Sequence, residues 1–343
     1  MDQNFRKMYS ADDIQLVPQF GELRSRKDAE LNPFIFCSPM DTVAGFDLAQ
    51  ALLEAGEYAT VARRAPRDEY IRALKELGTN PRCFFSVGVG ESAMKEFVDL
   101  LLEAEVDYPV SVCVDTAHGH SVYCRDTIVY LRSKDFVGHI MSGSVCTPEG
   151  AYDSYVWGAD FIRVGIGNGS ACSTRLMTGV GVPQFSAVLM VRDYLFKHEN
   201  VEKMPVIIAD GGIRTPGDVA KYLCAGADAV MMGNVLSKAR EAAGWIPNVD
   251  GVLVKRYRGQ ASASYQKDFL GQKPDCAEGV TFPEMKWTGT TALDIVKKYR
   301  GGVSSTISYL GLTSMSEMVP ENVFFVEVTR SGVVEASPHG LKR

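Results

Sequence analysis

The sequence predicts an α/β protein built as a closed (β/α)8 TIM barrel, and three observations carry that prediction. Short, continuous apolar runs recur eight times between Phe34 and Gly233. Amphipathic segments of helical period stand between them. Polar residues gather directly after the runs, where they would fall on one rim. Parallel strands buried on both faces need apolar side chains throughout, whereas crossover helices need a single apolar stripe. Alternation between the two patterns therefore marks repeated strand–helix units. Eight such units suit a closed barrel, while a doubly wound open sheet more often stops at about five or six strands.

In order, the predicted strands are "FIFC" (34–37), "YATV" (58–61), "CFFSVGV" (83–89), "VSVCVD" (110–115), "VGHIMSG" (137–143), "DFIRVGI" (160–166), "PVIIAD" (205–210) and "DAVMMG" (228–233). Segments such as "FDLAQALLEA", "DEYIRALKEL", "SAMKEFVDLLLEA" and "PGDVAKYLCAG" supply the helices. No repeat or linker interrupts the series, so residues 1–343 read as one domain. Beyond the eighth strand the pattern loosens into a polar stretch at 246–289, expected to be a mobile flap, because a loop this long is usually functional. "TALDIVKKYR" then provides the closing helix, followed by "GGVSSTISYLG" and a tail.

Bulk properties narrow the function. The 343 residues are 46% hydrophobic and 23% charged, ordinary for a globular chain with a large core. A net charge of −6 gives no basic footprint for nucleic acid or an anionic membrane. No apolar stretch approaches the ~20 residues of a membrane span, and the N-terminus lacks an apolar signal core. The eight cysteines are scattered singly with no CxxC pair, which points to reduced thiols, a cytoplasmic setting and no zinc site.

Chemistry in such barrels gathers at the C-terminal ends of the strands. Here those ends read "SPMDT", "ARRAP", "DTAHGHS", "GS", "GIGNGSACSTR", "DGGIRTPGD" and "GN". Glycine turns after consecutive late strands suit a phosphate, because they turn backbone N–H groups toward an anion. Cys172 is the one cysteine set between "GNGS" and "STR" rather than in an apolar run, and backbone donors on such a loop favour a thiolate nucleophile. Thr174, two residues on, is placed to hydrogen-bond a leaving or attacking group. His118 and His120 read as rim or packing residues.

Together, "SPMDTV", "DTAHGHS", "GIGNGSACSTR", "GVGVPQ", "ADGGIRTPGDVAK", "GADAVMMGN" and "YRGQAS" resemble the IMP dehydrogenase/GMP reductase family over nearly the whole chain. The resemblance implies a (β/α)8 barrel, commonly a homotetramer, acting on C2 of a purine nucleotide monophosphate through a covalent cysteine thioimidate. Hydride then passes between C2 and a nicotinamide, NADPH or NADH. It implies Cys172 as nucleophile, with the main-chain carbonyls of Gly167, Gly169 and Cys172 holding a monovalent cation, K+ being the usual one. Ser170, Gly211, Gly212, Gly233, Asn234 and Tyr257 fall at phosphate positions and Asp210 at the ribose carboxylate. Ser38, Met40, Gly259, Gln260, Ala261 and Gly279 fall around the base. Asp115, Thr116 and Ala117 fall on the nicotinamide side, with Arg64, Ser25, Arg26, Ser305 and Thr306 toward the rest of the cofactor.

Two activities share this chemistry. Family dehydrogenases hydrolyse the adduct with an Arg–Tyr pair on the flap, where this chain has Lys267-Asp268 or Asp268-Phe269; the tandem regulatory module usual in dehydrogenases is also missing. Reductases use a Thr–Glu pair to supply a proton to departing ammonia, and Thr174 and Glu278 match it. The expected activity is therefore GMP reductase, with the same chemistry on a modified or deoxy purine nucleotide, or a dehydrogenase without the Arg–Tyr dyad, as the alternative. The chain departs from the family pattern at Arg63, Ser144, Asn168, Gln260, Ala261 and Asp275, departures that bear on the base more than on C2.

Overall fold

The computed structural model describes residues 7–248, 250–271 and 274–336. The eight predicted strands are all present: β1 (Ile35–Cys37), β2 (Ala59–Val61), β3 (Cys83–Val87), β4 (Val110–Val114), β5 (Val137–Val145), β6 (Phe161–Val164), β7 (Val206–Asp210) and β8 (Ala229–Met232). Each pairs in parallel with its sequence neighbour from β2 through β8, and β8 returns to pair with β1. At the seam between β1 and β2, the Tyr58 N–H donates to the Ile35 carbonyl at 3.1 Å. The result is a single-domain (β/α)8 barrel.

Aromatic side chains from the early residues of the strands fill the barrel interior. Phe36 stacks on Tyr58 with ring centroids 4.3 Å apart, and Phe84 meets Phe161 edge-on at 4.9 Å. Offset and edge-on pairs of this kind add to the free energy of burial itself. Plugging one end with hydrocarbon leaves the C-terminal rim for polar groups.

Two helices show how local sequence fixes the outer ring. In "RTPGD", Pro216 opens the helix Pro216–Cys224, the Thr215 hydroxyl accepts from the Asp218 N–H, and the Asp218 carboxylate accepts from Thr215 N–H. This reciprocal cap satisfies donors that a helix start would otherwise strand. The predicted closing helix is longer than its signal: Ala292–Tyr309 runs straight through Gly301 and Gly302. A Cβ at Gly302 would lie 2.2 Å from the Cβ of Pro216, so the glycine is there for close helix packing rather than to end the helix.

The polar stretch after β8 has more structure than its sequence pattern suggests. Trp245–Pro247, Leu253–Lys255 and Met285–Lys286 form a small antiparallel sheet, and Ala263–Leu270 is a helix whose N-terminus is capped by Ser262. A further two-stranded ribbon pairs Ile14–Leu16 with Phe325–Glu327. Among the described residues no helix is long and apolar enough to cross a membrane.

Candidate active site

The loop after β6 reaches across the barrel mouth and is tied to the segment after β8. Cys172 N–H donates to the Gly169 carbonyl at 3.0 Å and Ser173 N–H to the Glu278 carbonyl at 2.8 Å, while Val280 N–H donates back to Ala171 at 3.0 Å. The turn after β7 passes beneath. Gly211 has φ +88°, and a Cβ there would sit 3.0 Å from the Gly169 nitrogen. Only glycine combines that backbone with that approach.

On this frame three side chains form a continuous hydrogen-bonded line. The exposed Cys172 thiol donates to Thr174 Oγ1 at 3.2 Å, and Thr174 donates to Glu278 Oε2 at 2.9 Å. The contrast with Cys37, Cys83, Cys113, Cys124, Cys146 and Cys224 is sharp, for all six are buried. Burial pushes the thiols of Cys113 and Cys224 up to about 12, so neither yields a thiolate near neutrality. Cys276, the other exposed cysteine, is absent from the lining of the cleft that holds Cys172.

That cleft has a volume of about 480 Å³. Every residue expected around the substrate lines it: Ser38, Met40, Ser170, Asp210, Gly211, Gly212, Gly233, Asn234, Tyr257, Gly259, Gln260, Ala261 and Gly279. The three catalytic candidates, the carbonyl-bearing Gly167 and Gly169, and Asp115, Thr116 and Ala117 line it too. Within it the Ser170 hydroxyl and Tyr257 hydroxyl lie 3.2 Å apart, and burial raises the Tyr257 phenol pKa. Gln260 Nε2 donates to the Pro39 carbonyl at 2.6 Å.

The cleft wall also carries a buried charge network that the sequence did not single out. Arg163, in the middle of β6, donates through Nε and Nη2 to Asp210 Oδ2 at 3.0 and 2.9 Å and through Nη1 to Asp115 Oδ1 at 3.0 Å. Ser144 adds a third donor to Asp210 Oδ2 at 3.1 Å. The signal was available: an arginine inside the apolar "FIRV" run must find anions, because a buried charge is tolerated only when paired.

A second cavity, of about 370 Å³, adjoins the first and shares Asp115, Thr116 and Ala117 with it. Arg64, expected on the cofactor side, lines this one beside Arg63 and Ser86. Arg63 Nε sits 3.6 Å from Asp115 Oδ2, and both atoms, with Ser86 Oγ, are buried without a hydrogen-bond partner among the described residues. Ser25, Arg26, Ser305 and Thr306 line neither cavity. Arg26 and Ser305 meet each other instead, Nη1 donating to Oγ at 3.1 Å.

The matching family model is the IMP dehydrogenase / GMP reductase domain, over residues 10–339. The chain belongs to this family. It is 35% identical over 280 residues to an inosine-5′-monophosphate dehydrogenase of Chlorobaculum tepidum, a match covering 78% of this chain but 54% of that protein. It is 31% identical to a GMP reductase of Ascaris suum, over 96% of both chains. To GMP reductase 1 of Mus musculus it is 33% identical, over 93% and 94% of the two chains. The chain thus spans about half the length of the first dehydrogenase and nearly all of the two reductases.

Proposed function

We propose that this protein is a GMP reductase, converting GMP to IMP and ammonia with a reduced nicotinamide cofactor. The observation that carries the reading is the line Cys172–Thr174–Glu278, which joins an exposed thiol to a carboxylate through one hydroxyl.

The line gives a proton somewhere to go. As the Cys172 sulfur bonds to C2 of the purine, its proton passes to Thr174 and the Thr174 proton to Glu278. The same path run backwards delivers a proton to the departing 2-amino group, which leaves as ammonia. One S–C bond forms, one C–N bond breaks, and the proton taken from the thiol ends on nitrogen. The nicotinamide, when bound, would supply the hydride that replaces sulfur at C2, and Cys172 departs as a thiolate that takes one proton from solvent to become the thiol again. Asp115, Thr116 and Ala117, shared by both cavities, are where its ring would be held. NADPH is the expected form.

The dehydrogenase direction needs a group that activates water in place of that acid. Asp268 is not free for it: its carboxylate pairs with Arg258 Nη1 at 2.5 Å, which holds its pKa below the usual carboxylate value. Lys267, Asp268 and Phe269 also stay off the cleft lining. The carbonyls of Gly167, Gly169 and Cys172 suit a hard monovalent cation such as K+ in kind, and the Cys172 N–H to Gly169 contact closes a turn over residues 169–172. Such an ion would steady the nucleophile's loop. The segment 246–289 is taken to open and close over the site, in a homotetramer of the cytoplasm.

The test is direct. With GMP and NADPH, cofactor absorbance should fall as IMP and ammonia appear one for one. Turnover only with IMP and oxidised cofactor would contradict the proposal.

A further inference from the structure

Asn168 is one of the positions at which the chain departs from the family pattern, and both ends of its side-chain amide are taken up by the protein. Its Oδ1 accepts from Arg175 Nη2, and its Nδ2 donates to Gln184 Oε1. Arg175 Nη2 also donates to the Val182 carbonyl, and Gln184 Nε2 donates to the Val164 carbonyl at 2.6 Å. Each of these bonds has one possible direction. A guanidinium cannot accept, so Asn168 turns its oxygen to Arg175 and its nitrogen to Gln184; the Val164 carbonyl, which cannot donate, orients Gln184 in the same way. The bonds run from the end of β6 through the first residue of the helix Gln184–Lys197 to the helix Thr174–Thr178.

Cys172 and Thr174 lie between the two residues that the Asn168–Arg175 bond joins, so that bond closes the loop carrying both. Its anchors have little room to move. A Cβ at Gly167 would lie 2.6 Å from Arg175 Cγ and one at Gly181 2.7 Å from it, so the arginine stem is lodged between two glycines. Gln184 is buried. Tying both ends of a short loop removes its conformational freedom before substrate arrives, which a thiol held ready for attack requires. We infer that Asn168 is a positioning residue, whose amide clamps the loop 168–175 so that Cys172 and Thr174 stay aligned with Glu278. Its consequence for turnover rests on reading Cys172, Thr174 and Glu278 as the reacting line.

Asn168→Leu keeps the bulk of the side chain and removes both bonds. Hydrogen exchange followed by mass spectrometry should show the peptide over residues 169–176 exchanging about tenfold faster, with the barrel strands exchanging as in the wild type. With GMP and NADPH, kcat should fall by about tenfold or more while the nucleotide dissociation constant stays within about threefold. When Thr174→Val is already present, adding Asn168→Leu should cost less than about threefold more, because the line it aligns is already broken. Asn168→Asp keeps the bond from Arg175 but cannot donate to Gln184, so it should fall between wild type and Asn168→Leu; it carries the same measurements if the leucine variant does not fold. Unchanged exchange over 169–176 overturns the inference. So does faster exchange with kcat unchanged, or a full further loss in the Thr174→Val background. A wild type that does not turn over GMP contradicts the proposed function instead, and the exchange rates still decide whether Asn168 clamps the loop.

Discussion

The two sides of the barrel mouth are finished differently. At the ends of β6 to β8, Ser170, Thr174, Asp210 and Tyr257 each hold a hydrogen-bond partner within the protein. At the ends of β2 to β4, Arg63 Nε, Ser86 Oγ and Asp115 Oδ2 are buried and hold none. Each orphan of that kind costs about 1–3 kcal/mol when dry, so it survives where water or a ligand supplies the missing partner. Those four groups of the first side are partnered before substrate arrives, Arg175 Nε on the loop after β6 being a buried exception, and the orphans of the second side face the adjoining cavity. In the proposed reaction these are the nucleotide half and the cofactor half, bridged by Arg163 between Asp210 and Asp115.

The largest expected effect breaks the comparison at its chemical centre. Cys172→Ala should lower kcat by about 10³-fold or more while nucleotide binding persists, because a covalent step has no substitute group nearby. Steady-state rates with titrated binding check it. Next, Glu278→Gln should slow turnover by about 10²-fold, a typical contribution from one acid–base group. Single-turnover measurements should place that loss in ammonia release, and equal loss in nucleotide affinity would remove the role.

Arg63→Met sharpens the contrast between the halves. It should weaken the nicotinamide cofactor by about tenfold and leave the nucleotide dissociation constant within about twofold. An effect on the nucleotide alone would mean the two sides were assigned the wrong way round.

The smallest effect concerns Lys255, which is buried yet partnered, donating to the Ser237 carbonyl at 2.6 Å. Burial pulls its pKa down to about 7 from the usual 10.5. Between those values the unfolded chain holds a proton that the folded chain does not, so this residue makes stability rise with pH across that window and adds no slope below it. The melting temperature of the wild type, relative to Lys255→Met, should climb by roughly 2–5 °C from pH 7 to pH 9. A parallel pair of melting curves would contradict it.

The barrel was legible because its strands are buried on both faces: a run such as "AVMM" has no polar side to blur the signal. Strands such as Trp245–Pro247 and Met285–Lys286 were not, being too short to show a period. The helix was expected to stop before Gly301, yet it continues and Gly302 is a packing contact, because sequence alone cannot show that Pro216 lies against that turn. The site divides in the same way. Cys172, Thr174 and Glu278 were found through motif likeness, and they do meet. Arg163 was overlooked because its two partners, Asp115 and Asp210, lie 48 and 47 residues away in sequence and meet it only when the barrel closes. Ser25, Arg26, Ser305 and Thr306 were placed with the cofactor and line neither cavity of one chain.

Everything in the proposed chemistry turns on sulfur bonding to the purine. The decisive measurement is mass spectrometry of the protein quenched in acid during turnover with GMP. The peptide containing Cys172 should carry a mass gain equal to the nucleotide less ammonia, and the gain should vanish in Cys172→Ala. Steady turnover with Cys172 recovered unmodified at every quench time would contradict the account.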